Sequence, residues 1–487
     1  MGGTVRACQW AYCVLPLMVV GGCTHPVGPD YVAPQPLAAS AQGDAKVLEQ
    51  KLAHPQLYAD ASPSGQWWRL YQDAQLNDLI GQALGRNTTL LEALGNLQRV
   101  RAVEEEVTGQ RRALATVSAG PSYGHASGLS RLQPGSVPAN AWLYSTGAAV
   151  SYQLDMFGKL ERASEAAAAD SDAAAAAMDV VRISVAAATA QAYADVCSGG
   201  MELNAARESL QVQQQARRVT EQLQRAGHAG SVDSIRAQAQ ERQLAAAIAP
   251  LQAQRQAALY RLAALIGTVP SGVPSAVTYC DQPPVLETAI PVGDGVELLK
   301  RRPDVRQAER SLAASSARIG VAVAELYPDV SLGVSAASAG RMGGFARGDT
   351  FSWGIGPLIT WGLPNNGVVR ARVKQAEAGA QAAMARFDSV VLEALRETET
   401  ALNALAMEMQ HHRELLAARD ASASVARQVR LLYRNGKTNY LDALDAERAL
   451  ASSESALARS SAQLSRDQVA LFLALGGGWS DENEPAR

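Results

Sequence analysis

Two carboxylates, Asp442 and Asp445, lie three residues apart in the sequence and could act together on an ion. They fall in a segment, 442–475, that the sequence predicts to be helical, and residues three apart on a helix lie on one face. Two acids on one face attract cations and repel each other. Acids in the first turn of a helix also complement the helix dipole. The spacing alone therefore leaves two interpretations open, an ion-attracting site and a stabilised helix end.

Histidine and cysteine add little further chemistry. His411 and His412 are neighbours and do not face each other on a helix, so we interpret them as solvated side chains rather than metal ligands. Nothing in the sequence brings Cys197 and Cys280 together, and we expect two free thiols, with a disulfide in an oxidising compartment as the alternative. Serine, histidine and aspartate residues form no catalytic spacing, so the sequence predicts no enzyme and no cofactor.

The N-terminal residues are typical of a bacterial lipoprotein signal. Arg6 precedes a short apolar run, 11–20, which is too short to span a bilayer as a helix. Small residues, Gly21 and Gly22, then lead directly to Cys23. This ending looks like a lipobox, which predicts that residues 1–22 are removed and that Cys23 carries N-acyl and S-diacylglycerol chains. An ordinary signal peptide with a chance cysteine is the alternative.

The composition is that of a large, nearly neutral, helical protein. The net charge is −3 and no block of basic residues stands out, which argues against a nucleic-acid partner. No stretch after the N-terminal run reaches the ~18 apolar residues that a membrane-spanning helix needs. We therefore expect any membrane crossing to be made by β-strands.

The chain contains one architectural unit twice. Gly227 and Gly436, each within a turn signal, lie 209 residues apart, and Gly267 and Gly476 repeat the same offset. A constant offset over such a length indicates a tandem repeat.

Each copy predicts a half-length helix, a very long helix and a returning helix. These lie at about 78–113, 159–226 and 233–266 in the first copy and at about 303–327, 368–435 and 442–475 in the second. The second long segment has no proline and a single glycine, Gly379, which suits an uninterrupted helix. In the first, Gly199 and Gly200 predict a kink or a close backbone contact.

Two β-strand candidates lie before the long helix of each copy. Residues 142–154 and 351–361 alternate between apolar or aromatic and small or polar side chains, and 117–123 and 330–336 are shorter partners. Alternation with a period of two gives a strand one apolar and one wet face. Aromatic residues near the strand ends favour a lipid-facing barrel over a soluble sandwich. Four strands cannot close a barrel, so we expect several chains to contribute to one.

Four sequence motifs stand in order along this duplicated frame. They are VGPDY at 27–31 after Cys23, WWRLY at 67–71, RRPDVRQAE at 301–309 and GKTNYLDALDA at 436–446. With these motifs the chain resembles the TolC-like outer membrane factor family, and within it the NodT-type outer-membrane efflux lipoproteins. The resemblance covers nearly all of the mature chain.

The resemblance implies a mainly α protein with a membrane β-barrel. Such a protein is a homotrimer with a 12-stranded β-barrel in the outer membrane and a long periplasmic α-helical barrel that closes at the helical turns. A periplasmic membrane-fusion (adaptor) protein and an inner-membrane efflux pump are the implied partners. Thr24 after Cys23, in place of aspartate, implies sorting to the outer membrane. The expected location is therefore the outer membrane, lipid-anchored and extending into the periplasm.

The predicted domains follow the repeat. They are a lipoprotein signal peptide at 1–22, a lipid-anchored extended segment with an equatorial region at 23–77, the first repeat at 78–267, an inter-repeat equatorial linker at 268–296, the second repeat at 297–476 and a C-terminal tail at 477–487.

The resemblance also assigns a gate to the two helical turns. In a trimer Asp442 and Asp445 would form two stacked rings of carboxylates, which favours the ion-attracting interpretation of their spacing. Asp233 and Tyr433 match positions at which relatives tie the closed end together with polar links. A tyrosine hydroxyl donating to a carboxylate would be weak enough for a partner to break.

The second turn departs from some relatives. They carry an arginine where this chain has Thr438, which argues against a salt bridge between protomers at that position. The neighbouring Lys437 could substitute for the missing positive charge.

The predicted function is passive export through an outer-membrane duct. The duct would receive small molecules, drugs or toxic compounds, from a pump and an adaptor. A type I secretion duct for proteins and a pore-less structural lipoprotein of the periplasm are the alternatives. The aromatic-flanked alternation of 142–154 and 351–361 argues against the pore-less alternative, because a spacer needs no barrel.

Overall fold

The computed structural model shows a mainly α-helical chain with an antiparallel β-sheet, as the sequence predicts. The residues it describes are 26–34, 58, 59, 61, 65–125, 135, 137, 139–286, 288–292, 299, 301–345, 347–362 and 366–478. The predicted signal peptide and Cys23 lie outside these residues. The chain divides into two compact units. The sheet unit comprises the chain up to residue 33, 98–173 and 309–385, and the helical unit comprises 34–97, 174–308 and the chain from 386 onward.

The order of helices and strands repeats along the chain. The helices are α1 (Ala74–Arg86), α2 (Thr88–Gly109), α3 (Lys159–Arg225), α4 (Ser231–Leu265), α5 (Ser275–Thr278), α6 (Pro303–Ala324), α7 (Asn366–Arg434) and α8 (Tyr440–Ala474). The strands are β1 (Tyr58–Ala59), β2 (Leu114–Gly124), β3 (Ala141–Leu154), β4 (Ile290–Pro291), β5 (Asp329–Arg341) and β6 (Phe351–Thr360). The series α2-β2-β3-α3-α4 recurs as α6-β5-β6-α7-α8. The long helices have 67 and 69 residues and the returning helices 35 each, so the tandem repeat is confirmed.

The first half-length helix is broken into α1 and α2 at Asn87, and the prediction of one continuous helix was wrong. The side-chain oxygen of Asn87 accepts hydrogen bonds from the N–H groups of Thr89 (3.0 Å) and Leu90 (3.1 Å). Its amide nitrogen donates to the carbonyl of Leu265, 3.0 Å away at the end of α4. One side chain therefore caps the start of α2 and the end of α4. Helical periodicity cannot reveal this contact, because it joins the ends of two distant segments.

The sheet unit contains a four-stranded antiparallel sheet in the order β2-β3-β5-β6. Strands β3 and β5 pair from Leu143 with Arg341 to Leu154 with Val330. The two copies of the repeat therefore join at the centre of the sheet. Strands β2 and β6 form its edges.

The strand register gathers the alternating side chains onto two distinct faces, since paired residues in a sheet share a face. The middle row of one face, the apolar face, is Val150, Val334 and Ile355. The adjacent row of the other face, the small-residue face, is Ala149, Ser335 and Gly354. Val150, Val334 and Ile355 are 46%, 46% and 65% exposed. The middle of the apolar face is thus uncovered in the single chain, unlike the apolar face of a soluble sheet, whereas Tyr144 near one end of this face is buried against Phe345.

Aromatic side chains lie at both ends of the apolar face. Tyr123 and Trp142 pack at one end with their ring centroids 5.6 Å apart. At the other end the indole N–H of Trp361 donates to the carbonyl of Leu326, just after α6, at 3.3 Å. This placement matches the interfacial girdles of membrane β-barrels.

The segment that follows the predicted lipid anchor packs on helices of the sheet unit. Arg162 of α3 is buried, and its guanidinium donates to the Asp30 carboxylate (2.6 Å) and to the carbonyl of Val27 (3.3 Å). Gly28 has φ of 94°, and a Cβ there would lie 2.4 Å from the Cα of Gly320 in α6. Two glycines therefore allow the segment to rest directly on α6.

Cys197 and Cys280 form a disulfide in the helical unit, with their Cα atoms 4.7 Å apart. The expectation of two free thiols was wrong. Gly200 allows the approach, because a Cβ at this position would lie 2.1 Å from the carbonyl oxygen of Cys280. Helix α3 continues through Gly199 and Gly200, so the glycine pair provides a close backbone contact without ending the helix.

Helix α3 is also, by length and composition, apolar enough to cross a membrane, although the sequence predicts no membrane-spanning helix after the N-terminal run. The apolar character comes largely from alanine. Ala186, Ala190 and Ala192 are at most 2% exposed. Close packing in the core of the helical unit accounts for these residues, because alanine lets helices approach one another.

Candidate gate at the helical turns

The turn between α3 and α4 and the turn between α7 and α8 have the same backbone geometry. Gly227 (φ 76°) and Gly436 (φ 70°) occupy the left-handed region directly after the long helices. The N–H of the next residue, His228 or Lys437, donates to a carbonyl of the last helical turn at 2.8 and 2.9 Å. These bonds are the Schellman type of helix C-cap, in which glycine avoids the strain of a Cβ. The repeat therefore ends each long helix in a matching hairpin.

Asp233 and Asp442 occupy equivalent positions near the starts of α4 and α8. The N–H of Asp442 donates to the side chain of Asn439 at 2.9 Å, and its carboxylate accepts a hydrogen bond from the hydroxyl of Thr438. Asp233 pairs with Arg236 at 3.5 Å. Asp442 therefore also stabilises the start of its own helix, as one interpretation of the acidic pair expects, and Asp233 accepts a hydrogen bond from the N–H of Gly230 at 3.4 Å.

Asp442 and Asp445 lie together on the exposed side of α8. Ala443 and Leu444, between them in sequence, are buried on the opposite side. The geometry thus brings the two carboxylates onto one accessible surface. Rings of carboxylates require further copies of the chain and stay a prediction.

The hydroxyl oxygen of Tyr433 lies 3.3 Å from that of Thr220, which ties α7 to α3. Its ring packs 5.8 Å from the ring of Tyr440, beside the buried Ala237. Burial raises the pKa of Tyr433; the hydrogen bond with Thr220 opposes this shift and the nearby charge of Asp233 adds to it. Within the part of the chain that the structure describes, the hydroxyl pairs with Thr220 rather than with Asp233. A tie that involves Asp233 across a protomer boundary stays a prediction.

Lys437 and Thr438 are adjacent in the second turn. Lys437 is exposed, and Thr438 is half-buried with its hydroxyl directed to Asp442 of its own chain. Thr438 therefore orients one of the paired acids. A salt bridge from Lys437 to a second protomer stays a prediction.

Two hydrogen bonds between the copies were not predicted from the sequence. Arg448 of α8 donates to Gln240 of α4 at 2.8 Å, and Ser209 of α3 donates to Glu454 of α8 at 3.3 Å. The partners are 208 and 245 residues apart in the chain, so local spacing carries no signal for them. Burial raises the pKa of Glu454, an effect that its bond with Ser209 partly offsets.

Each hairpin also contains an ion pair that could have been predicted from the sequence. Arg430 of α7 donates to Glu447 of α8 at 2.7 Å, and Arg217 of α3 pairs with Glu241 of α4. The members of each pair lie at similar distances along the chain on either side of the turn. Antiparallel helices bring such positions together, so opposite charges placed this way indicate the hairpin register.

The neighbouring histidines have different surroundings. His411 is exposed beside Glu408 (3.2 Å), as expected of a solvated side chain. His412 is half-buried, with Nδ1 3.3 Å from the hydroxyl of Ser460, so the solvated interpretation was wrong for it. Among the described residues, no group of three or more histidine, cysteine, aspartate or glutamate side chains could hold a metal ion.

The family profile described as "Outer membrane efflux protein" matches residues 79–268 and 295–477. The chain therefore belongs to the outer membrane efflux protein family, a family of outer-membrane channel proteins.

Two relatives and one solved structure illustrate the similarity. Nodulation protein T of Rhizobium leguminosarum bv. viciae is 28% identical over 476 residues, which cover 96% of this chain and 93% of the relative. Outer membrane protein OprJ of Pseudomonas aeruginosa is 28% identical, with 95% of each chain covered. The structure of the outer-membrane channel OprN superposes with a TM-score of 0.85 at 34% identity and covers 94% of this chain and all of that one. The protein thus has the fold of these channels and is located in the outer membrane.

Proposed function

We propose that this protein is the exit duct of a tripartite efflux system. An inner-membrane pump and a periplasmic adaptor would deliver small molecules, drugs or toxic compounds, and the duct would pass them to the exterior without catalysis. One observation carries the proposal: the sheet has an uncovered apolar face and an opposite face of small and polar side chains. A two-faced sheet of this kind suits the wall of a water-filled barrel in lipid.

The edges of the sheet support assembly from several copies. Strands β2 and β6 are both edges of the four-stranded sheet, and unpaired edges are not tolerated in lipid. Because the four strands alternate in direction, β6 of one copy can pair antiparallel with β2 of the next. A homotrimer, the assembly that the family resemblance implies, would close a barrel of 12 strands from three four-stranded sheets.

In that barrel the apolar face meets lipid and the small-residue face lines the pore. Along β5 the small-residue face carries charge only at its two ends, at Asp329 and Arg341. A pore wall of serine, glycine and alanine discriminates weakly between charged solutes. Selection therefore falls to the pump and to the closed end of the duct.

The acidic residues at the helical turns fit such a closed end. In a trimer the exposed Asp442 and Asp445 of α8 would form two rings of three carboxylates, which attract cations to the constriction. The bond between Tyr433 and Thr220 contributes about 0.5–1.5 kcal/mol, so a docking partner can break it. Asp233 and, near Asp442, Lys437 and Thr438 would complete the latch. The residues named in this paragraph are the gate residues that we propose.

The predicted lipid anchor at Cys23 supports the placement of the sheet in the outer membrane. Acylation of Cys23 would attach the chain to the periplasmic leaflet of the outer membrane. Asp30, a few residues later, is held by Arg162 at the start of α3, close to the end of strand β3. The anchor would therefore enter the membrane beside the base of the barrel.

Electron microscopy of the acylated protein, purified in detergent from outer membranes, tests the proposal. The expected particle is a hollow, three-fold cylinder with a detergent micelle at one end. A solid rod or a compact monomer would favour the pore-less lipoprotein instead. Dye efflux in cells that supply the cognate pump then separates small-molecule export from protein secretion, because a dedicated secretion duct would leave dye accumulation unchanged.

A further inference from the structure

The disulfide between Cys197 and Cys280 joins two segments that are distant in sequence. Cys197 lies near the middle of α3, and Cys280 follows the short helix α5. The two cysteines are 83 residues apart, and all of α4 lies between them in the chain. The bond therefore closes a large loop that contains the first hairpin.

The segment around Cys280 is held against the helices by several contacts in addition to the disulfide. The guanidinium of Arg255 in α4 donates to the carbonyls of Thr278 and Cys280, both at 2.8 Å, and to the carbonyl of Val196 at 3.3 Å. Val277 is fully buried. The bond to Val196 joins α4 to α3, and the other two bonds join α4 to the segment around Cys280.

Burial sets the order of events. Cys197 has no exposed surface, and its neighbour Val196 has none either. The active site of an oxidising enzyme cannot reach a sulfur atom that is enclosed in this way. Cys280 is only partly buried. A direct reaction of the Cys197 thiol with such an enzyme therefore has to precede the packing that encloses Cys197.

From this geometry we propose that the chain is a substrate of a periplasmic thiol–disulfide oxidase and that oxidation precedes the final packing of the helical unit. The chain enters the periplasm with its N-terminal end first, so Cys197 is available before Cys280. The proposal depends on the outer-membrane location of the protein and is independent of the export function.

The chemistry is a pair of thiol–disulfide exchanges. The Cys197 thiolate attacks the disulfide of the oxidase, forming a mixed disulfide and releasing one oxidase thiolate. The Cys280 thiolate then attacks the Cys197 sulfur, which forms the protein disulfide and releases the second oxidase thiolate. Two thiol protons leave the chain, and its two electrons reduce the oxidase disulfide to a dithiol.

The test compares the full-length protein in cells with and without the periplasmic oxidase. From oxidase-containing cells, maleimide–polyethylene glycol should label Cys197 and Cys280 only after reduction. From cells that lack the enzyme, we expect labelling without reductant and a several-fold lower yield of protease-resistant protein. The matched control is the double variant Cys197→Ser with Cys280→Ser, whose yield should be equal in the two strains. A wild-type protein that is fully oxidised and equally abundant without the oxidase would overturn the proposal.

A second measurement does not depend on folding. In Cys280→Ser the second exchange is blocked, so Cys197 should accumulate as a mixed disulfide with the oxidase. A reductant-sensitive band at the summed mass, absent from the double variant, is the expected result. Absence of this band in an oxidase-containing strain would contradict a direct reaction at Cys197.

Discussion

The hydroxyl oxygens of Tyr433 and Thr220 lie 3.3 Å apart and join the last part of α7 to α3. The contact connects the two copies of the repeat close to their turns. Tyr433 is half-buried and its ring also packs on Tyr440, so the hydroxyl is the part of the side chain that a local movement would release first. A single neutral hydrogen bond of this kind biases a closed state without locking it.

Replacing Tyr433 by phenylalanine should raise the resting conductance of the duct. The substitution keeps the ring contact with Tyr440 and removes a bond of about 0.5–1.5 kcal/mol, which corresponds to roughly a twofold to tenfold gain in open probability. Planar-bilayer recordings of the purified protein give the measurement. Thr220→Val removes the same bond from the other side, so the double variant should open no more than either single variant. Single variants as closed as the parent would exclude a role for this bond in the gate.

Replacing Asp442 and Asp445 together by asparagine should lower cation selectivity and weaken block by multivalent cations. The two carboxylates occupy the exposed side of α8, so the substitution removes charge without disturbing the buried Ala443 and Leu444. Reversal potentials in a salt gradient report the selectivity, which we expect to fall several-fold. Asp420→Asn, an exposed acid of α7 that lies outside the turn, is the matched control and should leave selectivity unchanged. Equal reversal potentials for the double variant and the parent would remove these acids from the gate.

Alanine should have opposite effects at two glycines of the long helices. At Gly200 a Cβ would lie 2.1 Å from the carbonyl oxygen of Cys280 and 3.0 Å from the Cα of Asp281, so the backbone must move. We expect Gly200→Ala to lower the free energy of unfolding by about 1–3 kcal/mol. At Gly379 of α7 no atom lies within 4 Å of the added carbon. Gly379→Ala should therefore raise the free energy of unfolding by about 0.5–1 kcal/mol. Thermal unfolding followed by circular dichroism measures both. Similar midpoints for the two variants would argue against the close contact at Gly200.

His412 should make the protein less stable in mild acid. Burial lowers the pKa of His412 below its ordinary value, which the charge of Glu408 partly opposes. As the pH falls through the unfolded-state pKa of about 6.5, the unfolded chain binds a proton that the folded chain does not, so the free energy of unfolding declines. His412→Asn should flatten this decline between pH 7 and pH 5 in chemical denaturation. An unaltered slope in His412→Asn would assign the decline to other groups.

Local patterns explain why much of the fold was predictable. The alternation of 142–154 placed Val150 on the apolar face, and the observed register pairs it with Val334. Glycine signals likewise located both turns, because Gly227 and Gly436 adopt a left-handed conformation that other residues avoid. Such features depend on a few neighbouring residues, and the repeat supplied each of them twice. The exposed pair of acids on α8 followed from helical spacing in the same way.

Features that depend on tertiary packing were missed. The cap by Asn87, the disulfide of Cys197 and the bond of Tyr433 with Thr220 all join segments whose proximity no local spacing encodes. The family resemblance pointed to Tyr433 as a gate residue. Within the single chain, Tyr433 bonds to Thr220 of the other copy of the repeat.

Arginine at two adjacent positions of β5 should separate the lipid-facing side of the sheet from the pore-facing side. Val334 lies in the middle row of the apolar face, and Ser335 lies in the next row on the small-residue face. A charged side chain near the bilayer midplane costs about 2–4 kcal/mol on a lipid face, whereas one that faces water in the lumen is tolerated. Val334→Arg should therefore reduce the amount of assembled protein in outer membranes, and Ser335→Arg should assemble normally and shift ion selectivity toward anions. Membrane fractionation and bilayer recordings measure the two effects. If Ser335→Arg proves the more damaging substitution, the two faces have been assigned the wrong way round, because the cost of the charge depends on which face meets lipid.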